Sequence, residues 1–279
     1  MLQNQNNMPS LRIVPVSELL LHEQHDAQRT GPLVQRLQSD RILRNPPIVA
    51  PIDGEQSYVV LDGANRVTAI RSLAIDHIAV QVVAYEGTEL VLDCWHHLVN
   101  GLSSEQFRRI LTDVAGVQCE STELAHAQAL LARREVLAFV QYPDGEVWGV
   151  HARGDLHDRT QRLNDIVDAY KSRGRIFRTS THHLPALLPL HDEVAALVVF
   201  PRFAPAEIVD LARIGACLPA GITRHLIPGR ALRINLPLEI LADDQGVEQK
   251  NAWLDHWIRQ KLATRSARYY QESTFMFDE

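Results

Sequence analysis

The sequence predicts an α+β fold, and three observations support this class. In the first part of the chain, short apolar runs of strand length alternate with helical patterns. Two of these runs, 48–52 and 57–61, flank Asp53-Gly54, a dipeptide typical of a hairpin turn. The rest of the chain mixes helical and strand patterns without an internal repeat. We therefore expect a compact unit of short strands and two helices that closes near Tyr85, followed by a mixed second half.

The elements of the first unit follow from local signals. We expect a strand at 11–16, a turn or brief helix at 17–21 and a polar loop at 22–26. Pro32 suits the first turn of a helix, which ends before Pro46-Pro47. The inward residues of this helix are predicted to be Leu33, Val34, Leu37 and Ile42.

Further elements are predicted by apolar periodicity and by helix caps. Strands are expected at 78–83, 147–150 and 194–200, and helices at 105–115, 123–136, 161–171, 205–216 and 251–263. No Gly/Ser-rich or Pro-rich linker separates the two halves. We therefore predict an N-terminal domain at 1–100 packed against a mixed α/β C-terminal domain at 101–279.

Composition excludes several classes of protein. The 279 residues are 46% hydrophobic and 22% charged, which is ordinary for a globular protein. The net charge of -6 argues against a general nucleic-acid binder, although a small basic cleft remains compatible with it. No apolar run approaches the ~20 residues of a membrane span. The N-terminus lacks the pattern of a secretory signal, and the three cysteines lack metal or disulfide spacing, so we expect a cytoplasmic protein.

The stretch 59–70 carries the strongest functional signal. It predicts a buried strand that ends at Asp62, turns at Gly63 and continues directly into a helix. The first backbone N–H groups of such a helix attract an anion, and Arg66 in the first turn can reach a phosphate. Asp62 could hold a metal ion beside that phosphate. A plain turn between strand and helix is the alternative.

Glu23 lies between His22 and His25 in the predicted loop. A carboxylate near bound phosphates can accept a hydroxyl proton during phosphoryl transfer, or it can bind Mg²⁺. The alternative is a solvated loop glutamate. The two histidines lack the spacing of a common zinc motif.

Two further clusters combine polar and aromatic residues. In the segment 93–97, Trp95 precedes two histidines and either belongs to the core or forms the wall of a small polar pocket. In the segment 221–230, Thr223-Arg224-His225 could bind a carboxylate or phosphate, or form a surface loop with counter-ions. The common phosphate-binding loops, kinase signatures and Rossmann glycine motif are not present in the sequence.

In this order, these clusters resemble the free L-serine kinases built on the ParB/sulfiredoxin-like fold, which include siderophore-pathway proteins that make O-phospho-L-serine. The matching segments are Leu21-His22-Glu23, Leu43-Arg44-Asn45-Pro46-Pro47, Leu61-Asp62-Gly63-Ala64-Asn65-Arg66, Cys94-Trp95-His96-His97, Gly221-Ile222-Thr223-Arg224-His225 and the tail 269–279. The resemblance implies a ParB/sulfiredoxin-like N-terminal domain that binds nucleotide and a C-terminal domain that completes the substrate site.

The resemblance also implies a role for each matched position. Glu23 would be the catalytic base toward the serine hydroxyl, and Asp62 would be catalytic as a ligand of Mg²⁺. Nucleotide phosphates from ATP or ADP would contact Gly63, Ala64, Asn65, Arg66 and Thr68. The amino-acid substrate would contact Trp95, Thr223, Arg224 and His225. Sulfiredoxins carry a nucleophilic cysteine where this chain has Ala64, which excludes thiol redox chemistry at that turn.

Two other functions remain as alternatives to an L-serine kinase. A ParB-like transcriptional regulator that senses a nucleotide or ligand would need to bind DNA. The acidic balance and the lack of a convincing helix pair that reads DNA make this partner possible but not favoured. A catalytically silent binding module would not need Glu23, Asp62 and Arg66, all of which are present.

Overall fold

The computed structural model describes residues 8–87 and 90–268. These residues form two compact units. The first unit contains residues 8–21, 25–87, 90 and 227–268, and the second contains residues 22–24 and 91–226. The tail 269–279, one of the segments that carries the family resemblance, lies outside the described residues.

Short strands and helices are interspersed along both units. The strands are β1 (Ser10–Pro15), β2 (Leu19–Leu21), β3 (Ile42–Leu43), β4 (Ile48–Pro51), β5 (Tyr58–Asp62), β6 (His77–Val82), β7 (Val91–Cys94), β8 (His96–Asn100), β9 (Gln118–Thr122), β10 (Ala138–Gln141), β11 (Val147–His151), β12 (Arg175–Thr179), β13 (Val194–Val199), β14 (Thr223–Leu226) and β15 (Leu236–Pro237). The α-helices are α1 (Ala27–Asp40), α2 (Ala64–Ser72), α3 (Ser104–Thr112), α4 (Leu124–Ala132), α5 (Leu156–Lys171), α6 (Pro205–Arg213), α7 (Leu238–Ala242) and α8 (Val247–Ala263). This mixture of helices and sheets confirms the predicted α+β class.

The first unit is built on a five-stranded sheet in the order β1-β6-β4-β5-β2. The β4–β5 pair is the hairpin predicted from Asp53-Gly54. Its second strand ends at Asp62, and α2 begins two residues later with Val67 and Ile70 buried in the core. The sheet and this helix together hold the turn at Gly63 in place.

The division into units differs from the sequence-based domain ranges 1–100 and 101–279. The chain returns to the first unit at residue 227, where β15 pairs with β3 and α8 follows. Leu236, Leu241 and Leu254 of this returning segment belong to the same buried cluster as Ile13 of β1. Burial of these apolar side chains, rather than chain order, determines which unit the segment joins.

Helix α1 begins at Ala27, five residues before Pro32, so the prediction that Pro32 lies in its first turn was wrong. Asp26 is the N-cap, and its side chain accepts a hydrogen bond from the Gln28 N–H. An aspartate at this position satisfies one of the free amides of a helix start, and it outweighs the preference of proline for the first turn. Ile42 lies beyond this helix in β3.

The second unit contains an antiparallel sheet in the order β12-β8-β13-β10-β11-β9 and a separate β14–β7 ladder. Leu98, Phe139 and Leu197 lie in its core. The ladder pairs Thr223 with Cys94, which brings two of the sequence clusters onto neighbouring strands. No helix within the described ranges has the length and apolar character that a membrane span requires.

Lys250 of α8 is fully buried in the first unit. Its ammonium donates to the carbonyls of Leu241 at 2.8 Å and Asp243 at 2.9 Å, and it lies 3.1 Å from the Asp243 carboxylate. Burial, and then the nearby Lys250 charge, lowers the pKa of His77, whose Nδ1 lies 3.2 Å from the ammonium. The lysine therefore satisfies several polar groups that packing removes from water.

We expect Lys250→Met to lower the free energy of unfolding by roughly 3 kcal/mol, because it leaves buried carbonyls without a donor. Urea unfolding at pH 7 measures this change. The matched control is Lys261→Met at an exposed position of the same helix, where we expect a change of less than about 1 kcal/mol. Equal stabilities of the two variants would contradict the structural role of Lys250.

Candidate functional site

The strand-to-helix corner of the first unit requires glycine at position 63. Gly63 has φ 105° and is the N-cap of α2. A Cβ at this position would lie 3.0 Å from the Pro47 Cβ and 3.0 Å from the Arg66 Cζ. The glycine therefore allows the chain to turn tightly, and the helix begins without a side-chain cap over its first N–H groups. Such a helix start can bind an anion.

The Arg66 guanidinium connects this corner to the preceding loop. It donates to the Pro46 carbonyl at 2.6 Å, to the Asn45 carbonyl at 3.2 Å and to the Asp62 carboxylate at 3.2 Å. Burial lowers the pKa of Arg66, and the adjacent Asp62 charge opposes that shift. These contacts hold the side chain against the protein, so Arg66 also has a structural role that the sequence did not indicate.

The Asp62 carboxylate also forms a close ion pair with the guanidinium of Arg230. The chain around Arg230 is held by the buried side chain of Gln81, which donates to the Gly229 carbonyl at 3.0 Å and accepts from the Ala231 N–H at 2.8 Å. Within the described residues, the guanidiniums of Arg66 and Arg230 and the carboxylate of Asp62 carry a combined formal charge of +1, which favours a phosphate at the helix start.

The sequence interpretation did not assign a role in phosphate binding to Arg230. Nothing local distinguishes this arginine, since its partner Asp62 is far away in the sequence. The glutamine that holds its loop lies in β6, and its role depends on pairing between distant segments.

Asn65 and Thr68 were both predicted to contact nucleotide. The Asn65 side-chain oxygen accepts from the Asp26 N–H at 2.7 Å and from the Thr30 hydroxyl at 3.2 Å. It therefore joins the start of α1 to the start of α2. Thr68 lies half-buried one turn further along α2, and Ala64 is half-buried at the helix start.

Glu23 belongs to the second unit, where it pairs with Leu218 in an isolated parallel bridge. Its carboxylate accepts three hydrogen bonds, from the Gly221 N–H at 2.9 Å, the Thr223 N–H at 2.7 Å and the Thr223 hydroxyl at 2.5 Å. Three donors on one carboxylate fix its orientation. The structure therefore contradicts the alternative of a freely solvated loop glutamate.

Thr223 contacts His22, which in turn packs against His225. The His22 Nε2 lies 2.9 Å from its hydroxyl oxygen, and the rings of His22 and His225 meet edge to face with centroids 5.4 Å apart. All three side chains are buried. The structure thus brings Glu23 together with the 223–225 segment, two clusters that the sequence interpretation treated as separate.

Trp95 is half-buried and lies under the guanidinium of Arg224, whose Cζ is 4.2 Å from the ring centroid. Asp93 lies 3.9 Å from this guanidinium and 3.1 Å from the Arg202 Nε. The backbone N–H of Trp95 donates to the Ile222 carbonyl at 2.8 Å. The tryptophan therefore supports a charged cluster at the surface rather than filling the core.

His96 and His97 lie in the buried strand β8, away from the surface position that a pocket wall would require. Burial lowers the pKa of His96 to about 4 and that of His97 to about 3. Burial also raises the pKa of the neighbouring Cys94 thiol well above its usual value. These side chains are neutral at pH 7 and contribute to the core.

Because His96 and His97 are neutral in the folded protein, we expect the protein to lose stability in acid. The folded pKa values lie below the unfolded value of about 6.5, so the unfolded state binds more protons as the pH falls. We expect the unfolding free energy to fall from pH 6.5 towards pH 4, by up to about 1.4 kcal/mol per pH unit for each histidine. His97→Gln should reduce this slope in urea unfolding, while His157→Gln at an exposed site should keep it. A stability independent of pH in this range would contradict the assignment.

The described residues contain no group of three or more His, Cys, Asp or Glu side chains arranged to hold a metal ion. Asp62 is 36% exposed at its side chain, so it can still offer a single carboxylate to a solvated ion. Mg²⁺ that accompanies a nucleotide commonly uses one or two protein carboxylates together with phosphate oxygens and water. The donor set at the corner therefore fits Mg²⁺ delivered with a nucleotide.

Comparisons with known proteins give one consistent result, although no family model matches the chain. The ATP-dependent L-serine kinase SbnI of Staphylococcus aureus is 25% identical over 273 residues, covering 96% of this chain and 97% of that protein. An ATP-dependent L-serine kinase of Staphylothermus marinus is 28% identical over 234 residues, covering 82% and 90%. A solved free serine kinase in complex with AMP has a TM-score of 0.72 at 16% identity, covering 84% and 94%. The sequence resemblance and the shared fold are confirmed.

Proposed function

We propose that this chain, a relative of the ATP-dependent L-serine kinases, transfers the γ-phosphoryl group of ATP to the hydroxyl of free L-serine. The observation that carries the proposal is the match to one such kinase over 96% of this chain. The products are O-phospho-L-serine and ADP. The names of the relatives favour ATP over ADP as the donor, a choice that the sequence alone left open.

In this proposal the corner at Gly63 binds the nucleotide phosphates. The free N–H groups at the start of α2 and the positive charge of Arg66 and Arg230 act on the same anion. Asn65 and Thr68, in the first turns of α2, would also contact the nucleotide. Phosphoryl transfer gains most from positioning and charge stabilisation, which these groups provide.

Asp62 would hold Mg²⁺ at this corner. When bound, the ion neutralises charge on the phosphate oxygens. In this proposal, a nucleotide would draw Arg230 from Asp62 towards its phosphates, and the Asp62 carboxylate would then bind the ion. Arg66 would stay in place, because two backbone carbonyls also hold it.

Glu23 is proposed as the general base that accepts the proton of the serine hydroxyl. The three donors that orient its carboxylate support this role, because a base must be held in the geometry that its proton transfer requires. Arg224 on Trp95 offers a guanidinium that matches the carboxylate of an amino acid. His225 is buried beside His22 and would form part of the binding site for the amino-acid substrate.

The test is incubation of the purified chain with L-serine, Mg²⁺ and either ATP or ADP, followed by chromatographic detection of O-phosphoserine. We expect the product with ATP and with L-serine, and little with D-serine or a serine-containing peptide. The transcriptional regulator is not favoured, because the curated relatives are named as kinases. Absence of the product with both nucleotides, together with a salt-sensitive gel shift on promoter DNA, would reverse this preference.

A further inference from the structure

The hydrogen bonds of the Glu23 carboxylate are unevenly divided between its two oxygens. Oε1 accepts two, from the N–H and the hydroxyl of Thr223. Oε2 accepts one, from the Gly221 N–H. A carboxylate oxygen has about two acceptor positions, so Oε1 is saturated. Among the residues that the structure describes, Oε2 keeps one position for a further proton donor.

The donor in the hydrogen bond between the Thr223 hydroxyl and Glu23 can be identified from the hydrogens that each group carries. A hydroxyl has one hydrogen, and an ionised carboxylate can only accept, so Thr223 donates to Oε1. Its contact with His22 at 2.9 Å must then use a lone pair of the hydroxyl oxygen. His22 Nε2 is therefore the donor, and the hydrogen bonds run from the buried His22 through the buried Thr223 to the partly buried Glu23.

Backbone hydrogen bonds join the segments on both sides of Glu23 and Thr223. The Gln24 N–H donates to the Leu218 carbonyl at 2.8 Å, and the Leu218 N–H donates to the His22 carbonyl at 2.7 Å. Gly221, the donor to Oε2, has φ 72°, and a Cβ there would overlap the Arg178 guanidinium. The Gly221 amide is therefore presented by a left-handed backbone conformation that favours glycine.

We infer that Thr223, oriented by His22, is a positioning residue that occupies Oε1 of Glu23 and leaves Oε2 to take the substrate proton. This inference rests on the proposed function and assigns Thr223 a role other than substrate contact. In the step, a bond forms between the serine oxygen and the γ-phosphorus while the bond from that phosphorus to the ADP oxygen breaks. The serine proton passes to Oε2, and ADP leaves with the electron pair of the broken bond.

The test compares Thr223→Val, which removes the hydroxyl at similar volume, with Thr223→Ser, which keeps it. We expect Thr223→Val to lower kcat by about 10- to 100-fold, the range for a lost hydrogen bond to a charged group. The KM for L-serine and the affinity for ATP should stay near the wild-type values, and Thr223→Ser should recover most of kcat. Thr112→Val, at an exposed hydroxyl of α3, is the matched control and should leave kcat unchanged.

Three results of this comparison would overturn the proposed role of Thr223. A loss confined to KM would make Thr223 a substrate contact, and a wild-type kcat in Thr223→Val would remove its effect on Glu23. Equal losses in the Val and Ser variants would also overturn the role of the hydroxyl. Thr223→Ala repeats the test without added volume, and ATP affinity reports whether each variant is folded. If the wild-type protein makes no phosphoserine while it binds ATP, the proposed function itself fails, and this inference with it.

Discussion

Replacing Glu23 by glutamine is expected to lower kcat for phosphoserine formation by about 10²–10⁴-fold, the range for loss of a general base. Glutamine has nearly the same shape, but its amide cannot take the serine proton. Its NH₂ group would also face one of the N–H donors that now point at the carboxylate. The expected defect therefore lies in the chemical step and in the orientation of the side chain.

The measurement is kcat at saturating L-serine together with the affinity for ATP by calorimetry. We expect ATP affinity to stay close to that of the wild type, because Glu23 is not among the residues proposed to bind phosphates. Glu105→Gln, at an exposed position of α3, is the matched control. Turnover of Glu23→Gln at the wild-type rate would exclude Glu23 as the base.

Replacing Asp62 by asparagine is expected to lower kcat/KM for ATP by about 10²–10³-fold at limiting Mg²⁺, which corresponds to several kcal/mol of charge stabilisation. Asparagine keeps the shape of the side chain but loses the charge that holds Arg230 and that would bind the ion. If Asp62 binds Mg²⁺, part of the activity should return when the Mg²⁺ concentration is raised.

A titration of activity against Mg²⁺ separates this role from a structural one. Asp53→Asn, in the exposed hairpin turn of the same unit, is the control and should follow the wild-type curve. An Asp62→Asn variant with reduced activity but an unchanged Mg²⁺ midpoint would show that Asp62 acts only through its two arginines.

The features that the sequence predicted best depend only on neighbouring residues. The hairpin follows from Asp53-Gly54 between two apolar runs, and the corner at Gly63 follows from the change in apolar periodicity. Both signals lie within a few residues, so no knowledge of distant pairing was needed. The buried strand β8 was missed, because its histidines read as a polar cluster.

The features that the sequence could not predict depend on contacts between distant segments. Arg230 reaches Asp62 across 168 positions of the chain, and Thr223 reaches Glu23 across 200. Neither residue carries a local signal of its partner. The resemblance to known kinases named Thr223, but only the hydrogen bonds show what that side chain contacts.

The central claim is tested most directly by following the γ-phosphoryl group itself. The purified chain is incubated with ATP labelled with ³²P at the γ-position, Mg²⁺ and free L-serine, and the products are separated. We predict that the label appears in O-phospho-L-serine, with one ADP formed for each phosphoserine. Label that appears only in inorganic phosphate, or that stays in ATP, would contradict the assignment of this chain as a free L-serine kinase.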